Sequence, residues 1–379
     1  MNLEKLKEIT EAIKIMIRSE DFLTVTRKTE TAFTRVRKLT FITLIAFMLN
    51  LSRRSLQLEI NSLLEFTNVD DVDCTKQAVS KAKSKILFSG FILLNSELKR
   101  SFYNKEDYKR YKGYRLLSID GSTGELPNVP EIVEEFGVFN SKSINGSFPA
   151  TRISALYDNL NNIILDASID KYKSSERAQA KKHLIKLIAS NKDLKIDTTK
   201  DLIIFDRGYP SLELIYFMEY FGIKYLFRIS HSFFKETNTV IQDNTFREKT
   251  ISIKLAKNKI SSNKLAEINP KVKAGDNVLF KLAIITLKTG QKEYLITNAL
   301  DLQYEELEDI YHIRWEIETC YDVLKNKIEI ENFTGLTVNS IKQDFFSSIF
   351  VFNYASLVAM TAQAEYDSEI QLSEKEKKH

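Results

Sequence analysis

Residues 201–230 read DLIIFDRGYPSLELIYFMEYFGIKYLFRIS, and within this stretch the hydrophobic period changes twice. Leu202–Phe205 is a continuous apolar run, as in a strand covered on both faces, and it stops on Asp206. Gly208 and Pro210 then punctuate the chain, PSLELIYFMEYF has helical spacing, and Gly222 is placed to close that helix. Residues 224–230 form a second strand. Strand, helix and strand in this order make a βαβ unit, which requires a sheet with parallel pairing and covered faces.

The same reading extends outward. Upstream, SERAQAKKHLIKLIAS is an amphipathic helix. RISALYD (152–158) and NIILDASI (162–169), joined by the turn-forming NLN, predict a hairpin, and YRLLSID (114–120) predicts a strand ending on Asp120. A hairpin feeding a βαβ run implies an α/β fold with a mixed sheet flanked by helices. Residues 231–300 read as a β-rich insertion containing a hairpin that turns at KTGQ. Helical spacing resumes as one unbroken run in YEELEDIYHIRWEIETCYDVLKNK.

Residues 1–112 read as an all-α domain. Thr75 is the expected N-cap of KQAVSKAKSKILF, and the acidic NVDDVDCT before it serves as a turn. Lys76, Lys81, Lys83 and Lys85 on that helix suit a DNA-contacting helix-turn-helix arrangement, and equally suit a solvated lysine face. Residues 1–115 hold 22 Lys and Arg against 14 Asp and Glu, whereas the whole chain is only +4. A basic front and an acidic body fit a nucleic-acid-contacting module joined to a metal-binding one.

Other classes are poorly supported. The 43% hydrophobic content excludes a disordered chain. Two cysteines make no disulfide framework, and MNLEKLKEIT carries no apolar signal core, so a reducing cytoplasm is expected. Phe345–Ala364 is uncharged over a bilayer's length, but its Ser, Thr, Asn and Gln residues favour a buried core helix over a membrane span. Residues 366–379 read as a frayed polar tail. Four scattered histidines support neither a zinc site nor a Ser-His-Asp enzyme.

The chemistry rests on acids. In open α/β sheets ligands gather at the carboxyl ends of strands, and Asp120 and Asp206 both close apolar strands. Each could alone be a turn or cap residue. If their strands are neighbours, the two carboxylates need a cation between them, and oxygen-only ligands point to Mg²⁺ or Mn²⁺. On a wheel at about 100° per residue, Tyr311, Arg314, Glu318 and Lys325 fall within about a sixth of the circumference. Glu316 falls on the far side and Asp322 lies near the shared face. The bland alternative is an i, i+4 ion pair between Arg314 and Glu318.

The ordered set SIDGS, FDRGYP and YHIRWEIETCYDVLK resembles the DDE transposases of the insertion-sequence-four type. Their signature places Tyr, Arg three residues on, Glu four further and Lys seven further, and Tyr311, Arg314, Glu318 and Lys325 match it without a gap. ALYD, SERAQAKKHL, YLITN and ENFTGLTVNSIKQD also look like the family, so the resemblance covers about residues 115–360 and fades in the N-terminal third.

The resemblance implies an RNase H-like domain at 113–230 and 301–365, with a five-stranded mixed sheet interrupted by the 231–300 insertion. Asp120, Asp206 and Glu318 would be the catalytic triad, holding two divalent ions. Tyr311, Arg314 and Lys325 would contact phosphate and the DNA end; from the helix-turn-helix reading, and not from the resemblance, Lys76, Lys81 and Lys83 are expected as further DNA contacts. The implied partners are double-stranded DNA, both transposon ends and target, and a second copy in a DNA-bound homodimer. The implied role is a bacterial insertion-sequence transposase; the alternatives are a nuclease or resolvase without strand transfer, or a decayed copy that only binds DNA. One departure stands out. Family members use an insertion-domain tryptophan to hold a flipped base, but Trp315, the only tryptophan here, lies in the signature, leaving Phe227, Phe233 or Phe234 as substitutes.

Overall fold

The computed structural model describes residues 1–35, 39–50, 58, 60, 75–105, 107–141, 146–243, 246–254, 277–287 and 289–376. The NVDDVDC turn, Cys74 and most of the run from Leu51 to Phe66 lie outside them. The N-terminal helices are α1 (Leu3–Arg18), α2 (Glu20–Thr26), α3 (Phe41–Leu49), α4 (Lys76–Lys83) and α5 (Ser89–Tyr103). The body then runs β1 (Arg115–Glu125), α6 (Pro130–Phe136), β2 (Val138–Ser141), β3 (Gly146–Asp158), β4 (Ile163–Lys171), α7 (Glu176–Leu194), β5 (Asp201–Phe205), α8 (Leu212–Phe221) and β6 (Lys224–Ile229). It continues with α9 (Lys235–Asp243), β7 (Glu248–Lys254), β8 (Asn277–Thr286), β9 (Lys292–Thr297), α10 (Tyr304–Ile313), α11 (Trp315–Asn326) and α12 (Val338–Glu376).

The opening stretch folds as its pattern requires. β5 is buried along its whole length, and Gly222 ends α8 at φ +70°, a conformation that only glycine adopts without strain. β5 pairs in parallel with β1 on one side and β6 on the other, while β3 pairs antiparallel with both β1 and β4.

The expected five strands become nine among the described residues, in the order β2-β3-β1-β5-β6-β9-β8-β7, with β4 also on β3. The physical reason lies in the edges. β6 would leave unpaired backbone groups, and the 231–300 segment covers them by laying β9 antiparallel along it, with β8 and β7 beyond. The insertion therefore extends the central sheet. At the other end, β2 pairs with the start of β3.

Alternate residues of the strands feed two cores. Leu117, Ile119, Ile203 and Phe205 join the layer that contains α7, α8 and the N-terminal helices, while Leu116, Leu202 and Ile204 pack with Leu307, Ile310 and Tyr311 of α10. Facing β3 and β4, α12 packs against β4 and α5. Its apolar window is long enough for a bilayer, but half of that window is buried. Asn353 donates to the Ile164 carbonyl and accepts from the Ile164 amide, which places it in the core of the fold. The expected frayed tail is instead a continuation of α12 to Glu376.

Thr75 does cap α4, accepting from the Ala78 amide at 3.2 Å. Lys76 and Lys81 are exposed on that helix. Lys83 is not: its side chain is 9% exposed, donates to Thr334 Oγ1 at 2.6 Å and pairs with Asp344 at 3.4 Å. It sits on the buried face with Val79, four residues back, so it joins the N-terminal helices to the body and leaves the solvated lysine face. Lys83→Met is expected to lower stability by about 3 kcal/mol, by removing a buried cation that pairs with Asp344. Chemical denaturation would check this, and a loss below about 1 kcal/mol would refute it.

Asp158, fully buried at the end of β3, accepts from Tyr103 Oη at 2.7 Å and from the Asn161 side chain. Burial nevertheless pushes its carboxyl up to about 6, against the pull of Arg115 and these donors. The folded state thus holds the proton more tightly than the unfolded chain, so this contribution to stability is present at low pH and lost as the pH rises through 6. Stability should therefore rise from pH 7 to pH 5, and by about 1 kcal/mol less in Asp158→Asn. Denaturation at both pH values measures the difference, and equal pH dependence in the two proteins would exclude Asp158 as the source.

Candidate active site

β1 does not end at Asp120 but continues to Glu125, held by β3, with Asp120 opposite Ala155. What ends near Asp120 is the parallel ladder to β5, whose last pair is Ser118 and Ile204. The same register continued two residues sets Asp206, just past β5, level with Asp120. Both acids keep the alternation of Leu116, Leu202 and Ile204, and so face the α10–α11 layer. The meeting of the two acids on neighbouring strands was expected; the strand end was misplaced because a parallel ladder can stop while an antiparallel one continues.

The signature helix also departs from expectation. α10 and α11 are separate, and Arg314 between them tightens the chain, donating its amide to the Tyr311 carbonyl at 3.1 Å while its own carbonyl accepts from Ile317. The grouping of the side chains survives. Tyr311, 5% exposed, donates its hydroxyl to Asp206 Oδ1 at 3.1 Å. Arg314, also 5% exposed, donates to Glu318 Oε1 at 2.7 Å and stands 3.8 Å from Asp120 Oδ2. The Lys325 ammonium donates to the Thr123 carbonyl of β1 at 2.7 Å and lies 3.7 Å from Glu331. Glu316 is exposed on the opposite side. Tyr311 and Arg314 are therefore placed among the acids.

Burial pushes the Asp120 carboxyl up to about 6; the charges of Asp206 and Glu318 push the same way, while the Gly121 amide and Arg314 oppose them. Burial and the Asp206 charge push the Tyr311 phenol up to about 12, so it remains a proton donor at neutral pH. Glu318 is the most solvent-open of the three acids, with 55% of its side chain exposed against 25% for Asp120 and 42% for Asp206.

Several partners carried no sequence signal. Arg228 of β6 reaches Asp206 at 3.7 Å and Glu293 at 3.2 Å, and Tyr321 of α11 donates to the Asp120 carbonyl at 2.8 Å. Each is a long-range contact set by strand order. A histidine relay is also present: His183 Nδ1 lies 2.6 Å from Asp166 Oδ2, its Nε2 3.0 Å from Ser154 Oγ, and Ser154 donates to the Asp120 carbonyl. Ser154 is fully buried and His183 is 1% exposed, so no substrate reaches that serine and the relay braces β1, β3, β4 and α7. Of the candidate base-holding aromatics, Phe227 and Phe234 are buried, Phe233 is half-buried against Phe234, and Trp315 is 58% exposed with its ring edge-on to His312.

Among the described residues no three metal-ligating side chains stand close enough together to hold an ion. The donor chemistry nonetheless fits a hard divalent cation. All donors are carboxylate oxygens, two of them are level on adjacent strands, and Asp120 is an acid whose ionised form a nearby cation would relieve.

Fold and site define a class: a mixed α/β protein with acids and interleaved cations at one crest of its sheet. The family described as Transposase DDE domain matches residues 111–354, more than half of the chain, and the chain belongs to that family. Among solved structures, the chain is similar to a piggyBac transposase solved by cryo-EM as a synaptic complex with hairpin DNA, at a TM-score of 0.49 and 9% identity, covering 94% of this chain and 76% of that one. No curated protein matches.

Proposed function

We propose that the chain is the transposase of a bacterial insertion sequence of the insertion-sequence-four type, acting in the cytoplasm on terminal inverted repeats by metal-dependent cleavage and strand transfer. The observation that carries this reading is the convergence of Asp120, Asp206 and Glu318 with Tyr311 and Arg314, from three separated parts of the chain. An RNase H-like reading of the catalytic domain is supported by the order β4-β3-β1-β5-β6, with β3 antiparallel and β5 and β6 parallel to β1.

Asp120, Asp206 and Glu318 would hold two Mg²⁺ or Mn²⁺ ions. When bound, such a pair activates an attacking hydroxyl and stabilises the leaving oxygen of a phosphodiester. Tyr311 holds Asp206 in place through its hydroxyl. Arg314 is an internal counter-ion of the acids, bonded to Glu318 and near Asp120; released from Glu318, its planar fork suits bidentate contact with the scissile phosphate. Lys325, anchored on the Thr123 carbonyl at the edge of the crest, adds a point charge for the same backbone. Lys76 and Lys81, exposed on α4, offer contacts to duplex phosphates, and two ends handled together imply a DNA-bound homodimer.

The test is incubation of the full chain with a DNA end carrying the short inverted repeat that flanks its coding sequence, together with a target plasmid. Mg²⁺-dependent cleavage followed by joining is expected, and both steps should be lost in Asp206→Asn. Cleavage without joining would favour a nuclease or resolvase, and binding without cleavage a decayed copy. Neither outcome is compatible with the proposal.

A further inference from the structure

A fourth carboxylate reaches the same crest from the opposite layer. Glu176 is the first residue of α7, which packs on the face of the sheet away from α10 and α11. Its carboxylate lies over the two glycines that follow the strand acids. A Cβ on Gly121 would stand 3.6 Å from Glu176 Oε1, and one on Gly208 3.7 Å from Oε2. Arg152 of β3 holds Oε1 at 3.0 Å, and Arg177 ties the start of α7 to the Gly208 carbonyl at 3.1 Å. Glu176 is therefore fixed in place, with Oε2 turned to the loop after Asp206.

A second observation lies beside it. Tyr209 is 2% exposed, and its hydroxyl has no hydrogen-bond partner among the described residues. The ring is anchored by Phe205 at 5.4 Å and the amide by the Asp206 carbonyl at 3.2 Å. The charges that bear on the hydroxyl are those of Asp120, Glu176, Arg152 and Asp206, and, after burial, Asp120 and Glu176 contribute most to holding its proton on. A buried hydroxyl left without a partner is unfavourable, and is tolerated where a ligand completes it.

We propose that Glu176 is a positioning residue of the metal centre: with the Tyr209 hydroxyl it orders the water shell of the ion held by Asp120 and Asp206. The inference rests on the metal-dependent reading of the site. Among the described residues Glu176 forms no direct ligand set with the strand acids, but a carboxylate and a phenol whose charges couple to those acids can hold metal-bound water, and Mg²⁺ and Mn²⁺ sites with few carboxylates keep several waters. A side chain at Gly121 or Gly208 would come into contact with the Glu176 carboxylate. The arrangement also makes first-ion binding independent of Glu318, which reaches the crest from the other layer and is engaged by Arg314.

The test is Mn²⁺ affinity of the full chain without DNA, measured by calorimetry or by the electron paramagnetic resonance of free Mn²⁺. Glu176→Gln and Tyr209→Phe should each weaken binding about 10-fold, the range typical of outer-shell partners. Tyr209→Phe should do so without lowering the metal-free melting temperature, since it removes an unsatisfied hydroxyl, a result that a structural role would not give. Glu318→Gln should weaken Mn²⁺ binding less than Glu176→Gln. Unchanged affinity in either shell variant, with Asp120→Asn still losing binding, would overturn the assignment of that residue alone. Unchanged affinity in Asp120→Asn would overturn the metal reading of the site and this inference with it.

Discussion

Glu318→Gln is expected to lower metal-dependent cleavage of an element end on the order of 1,000-fold, while Glu316→Gln leaves it within about 2-fold, as scored by single-turnover nicking in Mg²⁺. The two residues are one turn-fraction apart on α11 yet differ in everything that matters. Glu318 Oε1 is 2.7 Å from Arg314, whose other nitrogen lies 3.8 Å from Asp120, whereas Glu316 is exposed away from both. The substitution removes the one acid of the set that comes from a helix. Stability should barely move, because 55% of the Glu318 side chain is already in water and its pair with Arg314 is replaceable there. Equal loss in both variants would indicate a general effect of charge on α11, and full activity in Glu318→Gln would remove the residue from the site.

The parts of this site that were legible in the sequence are those set by local period. Asp120 and Asp206 follow apolar strand runs, which marked them as strand-end acids, and Tyr311, Arg314 and Glu318 recur at helical spacing, so the helix group's shared face could be read without knowing its partner. The spacing argument survived even the break at Arg314, because a tightened turn rotates later residues too little to move Glu318 off the face. What was not legible is set by strand order. Arg228 reaches Asp206 only because β6 lies beside β5, and β9 could join the sheet only because β6 left an edge to cover. Lys83 illustrates a third limit. The three lysines of α4 look alike in sequence, and burial of one depends on Asp344 and Thr334, more than 250 residues away. Glu176 was read only as part of an amphipathic helix, since nothing in SERAQAKKHL marks its first acid as standing over two distant glycines.

Arg115→Met is expected to be the most destabilising single change, by about 3–5 kcal/mol in chemical denaturation. Arg115 and Asp201 are direct partners across the parallel ladder at the entry of β1 and β5, at the opposite end from Asp120 and Asp206. Arg115 Nε donates to Asp201 Oδ1 at 2.7 Å and a second nitrogen donates to Oδ2 at 2.9 Å, while Asn191 of α7 donates to Oδ2 at 2.6 Å. Both side chains are nearly sealed, at 3% and 0% exposure. Methionine retains much of the volume but leaves Asp201 ionised in the core with only Asn191 for support. Removing both charges relieves that penalty, so the double variant Arg115→Met, Asp201→Asn should recover more than half of the loss, which a purely packing role for Arg115 would not allow. The register itself should hold, because Leu116, Leu117, Leu202 and Ile203 are fully buried and a one-residue slip would exchange the two cores. Cleavage per folded molecule is therefore expected to stay near wild type while the folded fraction falls, since Asp120 and Asp206 keep their level positions for as long as the ladder exists.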